Sequence, residues 1–254
     1  MPGPAAEIHD VSMRSRDQVR LHPTSLSVPR GTIVGIVGRN GSGKSTLLGV
    51  LAGEIRPSSG SAFISGDPIA TLGHAELARR RALLAQDTQV SFGFSVGDVV
   101  GWGRIAWRGT PESEHDARIV SEAIAGQDLT GLIDRPVTSL SGGERKRVHL
   151  ARVVAQQADL LLLDEADADL DLVGKRRVDD LLHAHAHAGR TAVIVSHDVT
   201  RLARVCDRLV LMRAGRLHAA GTPAEVLTSD LLSAAFDARV EVTGSGDQLS
   251  IRLP

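Results

Sequence analysis

The run GRNGSGKST, Gly38 to Thr46, most constrains what this chain can fold into. It completes the phosphate-loop pattern: glycine, four variable residues, Gly-Lys, then a hydroxyl residue. That pattern has a mechanism only between a strand and a helix, and both flanks comply. IVGIVG, Ile33 to Gly38, reads as a buried strand, and TLLGVLAG, Thr46 to Gly53, has helical apolar spacing. Gly38, Arg39, Asn40, Gly41, Ser42 and Gly43 form a flexible wrap for a phosphate. The amides from Asn40 to Ser45 are expected to point inward, with the helix start adding a favourable dipole. Lys44 is expected to reach the β- and γ-phosphates, Ser45 to ligate Mg2+, and Thr46 to steady the α-phosphate side. Alone, the loop says that a nucleotide phosphate binds. It does not say what the energy is used for.

A second stretch supplies the chemistry. LLLLDEADADLD, residues 160–171, is an apolar strand that ends in acids. A phosphate loop needs a strand-end carboxylate on the Mg2+ side, and Asp164 stands there. Glu165 follows it, poised to polarise a water beside the γ-phosphate. In TAVIVSHD, residues 191–198, a third buried strand ends at His197. A histidine there can donate to the γ-phosphate or hold the attacking water and Glu165.

These strands alternate with helical stretches, which argues for an α/β fold with a largely parallel sheet. RLVLMRAGRL, residues 208–217, reads as strand, glycine turn and strand. From about Val96 to Gln157 the pattern is mostly helical, with Pro111, Glu112 and Glu114 suited to a helix start. This segment looks inserted into the α/β core. From Pro223 onward a small helical piece and a polar, strand-like tail are expected. Net charge is −1 and aromatics are few, so nothing forces a nucleic-acid partner and no stacking platform for one is expected. The single cysteine, Cys206, excludes a disulfide within the chain and reads as apolar filler. No stretch approaches the roughly 20 apolar residues that span a membrane, and MPGPAAEIHD lacks a signal pattern. Cytoplasmic residence is expected, with a peripheral membrane role left open.

LSGGE, Leu140 to Glu144, completes the set. With the phosphate loop, the strand-end DE and the SHD histidine, the chain resembles the ATP-binding-cassette ATPases over roughly residues 8–225. The resemblance implies a RecA-like core of about 1–86 and 158–222 and a helical subdomain of about 87–157. It further implies an antiparallel β-subdomain and a C-terminal extension of about 223–254, all within one ATPase domain. Gln86 matches the glutamine that touches the metal and links it to a permease. The resemblance also implies a head-to-tail dimer binding Mg-ATP. Each ATP is then held by one phosphate loop and by Ser141, Gly142 and Gly143 of the other copy. Asp171 would carry communication between the copies. Lacking a spanning segment, such a subunit needs separate permease subunits, with an indirect link to a substrate-binding protein, at the cytoplasmic face of the membrane.

RRRALLAQ, FGFSVGDVVGWGR with Phe92, Phe94 and Arg104, and the tail GTPAEVLTSDLLSAAFD resemble the ATPases of bacterial haem, ferric-siderophore and cobalamin importers. Haem or ferric siderophore is favoured over cobalamin. The alternatives are another importer ATPase or a non-transport cassette ATPase such as an iron–sulfur assembly component. Two departures stand out. Ala166 and Asp167 follow DE in place of the usual Pro-Thr or Pro-Ser, and Ala168-Asp169-Leu170-Asp171 replaces Ser-Ala-Leu-Asp. No aromatic precedes Phe63, so near Ser15 an arginine, Arg14 or Arg16, is the alternative partner for adenine. HAHAHAG, residues 183–189, offers His183 and His187 on one helix face but reads as exposed surface.

Overall fold

The apolar runs become the innermost strands. The computed structural model describes residues 3–15, 18–86, 92–168, 170–244 and 246–253. In chain order the strands are β1 (Ala6–Ser15), β2 (Gln18–Val28), β3 (Ile33–Gly38), β4 (Ser59–Ile64), β5 (Asp67–Pro68), β6 (Arg81–Leu84), β7 (Leu160–Asp164), β8 (Thr191–Val195), β9 (Arg208–Arg213), β10 (Arg216–Gly221), β11 (Glu241–Thr243) and β12 (Ser250–Arg252). The α-helices are α1 (Lys44–Leu51), α2 (His74–Arg80), α3 (Val96–Gly101), α4 (Asp116–Gly126), α5 (Gly142–Ala155), α6 (Leu172–His187), α7 (Val199–Val205), α8 (Pro223–Val226) and α9 (Ser229–Phe236). The chain divides into two compact units, Met1–Leu72 with Leu181–Pro254, and Gly73–Asp180.

In the first unit β1 pairs antiparallel with β2 and β4, and β5 extends β4. A separate set of strands centres on β3, which runs parallel to both β8 and β9. Every residue of β3 and β8 is buried, as expected of parallel strands covered on both faces. Leu47, Leu48 and Leu51 of α1 are buried, and α1 packs on β1, β3, β4 and β8. Arg213 and Arg216 face each other across a two-residue turn, Ala214-Gly215, with φ of 45° and 72°. Both angles are positive, as a tight hairpin with right-handed strand twist requires. The expected tail appears as α8, α9 and the hairpin β11–β12.

In the second unit β6 and β7 run parallel, and α3, α4 and α5 close around Val99, Ile119, Ile124, Leu129, Val148 and Ala151. The expected helix start at Pro111 is a 3-10 turn, Pro111–His115, and regular helix begins at Asp116. Side-chain hydroxyls tighten this stretch: Thr110 Oγ1 donates to Trp107 O and Ser113 Oγ to Thr110 O. The arginine of GWGR has a packing role here. Arg104 is 3% exposed; its Nε donates to Asp116 Oδ1 at 2.7 Å and its Nη1 to Ala155 O at 2.9 Å. The guanidinium also lies 5.0 Å over the Trp107 ring. It joins the first turn of α4 to the last carbonyls of α5.

Candidate active site

The first unit carries the phosphate loop. Strand β3 ends at Gly38, where φ is 148° and a Cβ would collide with the Met212 carbonyl. Gly43 starts α1 with φ 97°, and a Cβ there would sit 2.9 Å from Arg20 O. Both positions are thus closed to any other residue. Lys44 is 5% exposed and keeps its ammonium inside the loop, donating to Gly38 O at 2.9 Å and Arg39 O at 3.0 Å. One amide departs from the expected inward-facing run: Ser42 N closes a turn on Arg39 O at 3.1 Å. The Ser42 hydroxyl is buried and makes no hydrogen bond among the described residues. A buried hydroxyl left so costs about 1–3 kcal/mol, and an anionic oxygen in the loop would satisfy it. Arg39, Asn40, Gly41 and Ser45 are exposed, and Thr46 is half-buried.

His197 belongs to the same unit. Strands β3 and β8 are parallel neighbours with Ile36 opposite Val195, so the loop after β3 and the turn after β8 leave the same edge. His197 is exposed there. Next to it Asp198 caps α7, accepting from Arg201 N at 3.0 Å.

The second unit brings the carboxylates together with the glutamine. Leu84 of β6 lies opposite Leu163 of β7, so the residues beyond both strands meet at one end. Gln86 Nε2 donates to Glu165 Oε2 at 2.8 Å. Asp164 closes β7 and is 7% exposed. Glu165 stands in the left-handed region, with φ 51°. Lys146 Nζ donates to the carbonyls of Glu165 and Ala168, each at 2.8 Å. Ala166 is fully buried and Asp167 is 4% exposed, so Asp167 is no surface acid. Asp169 lies outside the described residues. Asp171 Oδ1 accepts Gly174 N at 2.7 Å, holding the first turn of α6.

Ser141 is the N-cap of α5 in a reciprocal capping box with Glu144. Ser141 N and Oγ both donate to Glu144 Oε2 at 2.8 Å. These bonds hold the Glu144 carboxyl below its usual range. Gly142 and Gly143 follow. A Cβ at either would meet no atom within 4 Å among the described residues, and neither has a positive φ. Nothing among the described residues therefore requires glycine at these positions.

Phe92 and Phe94 are 73% and 42% exposed, with Phe94 edge-on to Trp102 at 5.1 Å. Arg14 and Ser15 are exposed, and Arg16 lies outside the described residues. The rings of His183 and His187 are exposed and 6.4 Å apart. No group of three or more metal-ligating side chains occurs among the described residues. Cys206 is buried. The hydroxyl, amide and carboxylate oxygens of Ser45, Gln86 and Asp164 are hard donors of the kind that suit Mg2+.

Sequence reasoning passed over two features. Lys146 is one of three cations in RKR, Arg145 to Arg147, and only its reach across to residues 165 and 168 sets it apart. Arg39 donates to Asp237 Oδ2 at 2.7 Å, and Arg213 donates to Asp237 Oδ1 at 2.9 Å. That links the phosphate loop to the end of α9 and had no local signal.

The ABC transporter family profile matches residues 21–168. Over 222 residues the chain is 44% identical to the hemin import ATP-binding protein HmuV of Streptomyces coelicolor, covering 87% of this chain and 79% of that protein. It is also 44% identical, over 223 residues, to the cobalamin import ATP-binding protein BtuD of Halobacterium salinarum, covering 87% of this chain and 56% of that protein. Among solved structures, cbiO1 from Clostridium perfringens, part of the ABC transporter complex cbiONQ, aligns with a TM-score of 0.76 and 29% identity. That alignment covers 91% of this chain and 94% of the other.

Proposed function

This chain belongs to the ABC transporter family and is an ATPase of it, and on that premise we propose that it drives import through a separate permease. Lys44 holds the β- and γ-phosphates of ATP. Ser45, Asp164 and Gln86 hold Mg2+, which supplies positive charge to the phosphoryl oxygens. Glu165 takes the proton of the attacking water, and His197 steadies that water or the γ-phosphate. Ser141, Gly142 and Gly143 close over the ATP of a second copy, and Asp171 carries communication between the copies. The carrying observation is the open space at Gly142 and Gly143 among the described residues: glycine there leaves room for a close approach from outside. No helix among the described residues is long and apolar enough to cross a membrane. The exposed pair Phe92 and Phe94 is the surface offered to the permease, at the cytoplasmic face.

Haem or ferric siderophore is the proposed cargo. Similarity to a hemin import protein across 79% of its length supports this reading. Cobalamin is the second reading, favoured by the equal identity to a cobalamin import protein. The deciding experiment purifies the chain with its copurifying permease, reconstitutes both in vesicles with the associated binding protein, and measures Mg-ATPase. Several-fold stimulation by haem or a ferric siderophore is expected. Stimulation by cobalamin alone would transfer the assignment, and copurification with soluble assembly proteins in place of a permease would end the import reading.

A further inference from the structure

Glu165 is not held in place by its own preferences. A residue with a Cβ is strained at φ 51° and persists there only when its surroundings over-determine it. The turn that follows joins Ala168 N to Glu165 O at 3.1 Å. Onto both ends of that turn comes one cation. Lys146 Nζ, part-buried, donates to Glu165 O and to Ala168 O at 2.8 Å each. Bonds from an ammonium are stronger than neutral ones, and two carbonyls converging on one donor fix the plane of the turn. The side chain of Glu165 is met separately, by Gln86. Backbone and carboxylate are thus held by two residues from different elements.

We propose that Lys146 is a positioning residue for hydrolysis: it fixes the strained turn that aims the Glu165 carboxylate and ties it to the helix that begins at Ser141. The inference rests on reading Glu165 as the base. Lys146 touches no reacting atom in this scheme. It sits five residues into α5 from its N-cap, about 7.5 Å along the helix. A shift of the Ser141 end of α5 therefore reaches the backbone of Glu165 through Lys146. A neutral or shorter side chain at position 146 would leave both carbonyls without this donor.

The test uses the full chain and Mg-ATP turnover with three variants. Lys146→Met keeps length and loses the donor, Lys146→Arg keeps charge and donors, and Glu165→Gln reports on the base. Lys146→Met should lower kcat about tenfold or more while KM and ATP affinity stay within twofold, and Lys146→Arg should recover most of the loss. A kcat for Lys146→Met within twofold of the parent, beside an inactive Glu165→Gln, overturns the inference and leaves the base reading standing. Equal loss of ATP affinity and kcat without rescue by Lys146→Arg also overturns it, because that pattern is general misfolding. An active Glu165→Gln removes the base reading and the inference with it. If Lys146→Met does not fold, Lys146→Leu, which also lacks a donor, is read against the same thresholds.

Discussion

Gln86 Nε2 lies 2.8 Å from Glu165 Oε2, a contact that ties the stretch after β6 to the residue after β7. A carboxylate held this way is oriented before any substrate arrives. Glu165→Gln should reduce Mg-ATPase by about 10²–10⁴-fold, the range expected on losing a general base, with ATP binding preserved. Gln86→Ala should leave the carboxylate in place but unanchored and cost about tenfold in kcat. Single-turnover assays alongside equilibrium ATP binding separate the two. Equal activity of Glu165→Gln and the parent would remove Glu165 from the chemistry.

The glycines of the two loops should behave oppositely. Gly38→Ala forces a Cβ against the Met212 carbonyl at φ 148° and should destroy the phosphate loop, with ATP binding lost. Gly142→Ala has open space and an ordinary φ. It should leave the melting temperature of the isolated chain almost unchanged, within about 0.5 kcal/mol of stability, yet lower ATPase sharply. Full activity of folded Gly142→Ala would argue against an external ligand at α5.

His149 should make the fold acid-sensitive well above the carboxylate range. It is 4% exposed, and neither ring nitrogen has a hydrogen-bond partner among the described residues. Burial, with help from Arg152, pushes its pKa from 6.5 down to about 4. The unfolded chain therefore takes up the proton first. Stability is full above about pH 6.5, falls as pH drops toward 4, and has lost about 3 kcal/mol by then. Urea unfolding at pH 7 and pH 4.5 should show this loss in the parent and a flatter profile in His149→Leu.

Arg104 should be the most costly single side chain to remove from the helical part of the second unit. Its bonds to Asp116 and to Ala155 O are buried at the guanidinium end. Arg104→Ala leaves a carbonyl and a carboxylate behind and should cost about 3 kcal/mol. Asp116→Asn should cost less, since Asp116 is 29% exposed. A double-mutant cycle by chemical denaturation measures the coupling.

The candidate phosphate loop was legible in the sequence because it is written in contiguous backbone. A phosphate loop must be glycines, a lysine and a hydroxyl between a strand and a helix, and Gly38 to Thr46 satisfies that without reference to any other residue. Asp164 and Glu165 at the end of an all-apolar strand and His197 after β8 took their expected roles from the phosphate loop upstream, and Ser141 from the resemblance of LSGGE to a family signature. Periodicity likewise announced β3, β7, β8 and the β9–β10 hairpin. It misplaced the start of α4, because the hydroxyls of Thr110 and Ser113 compete for nearby carbonyls at a scale that apolar spacing does not register.

What only the tertiary structure decided is how those pieces are held. The strain at Glu165, its anchoring by Gln86 from 79 positions earlier and by Lys146 from α5, and the burial of Asp167 depend on partners far away in the chain. So do the Arg104 bonds across α4 and α5 and the Asp237 link to Arg39, 198 positions apart. Local pattern reports which groups a chain can present. Their orientation is a property of packing, since a charged or strained group keeps one geometry only where distant atoms satisfy it.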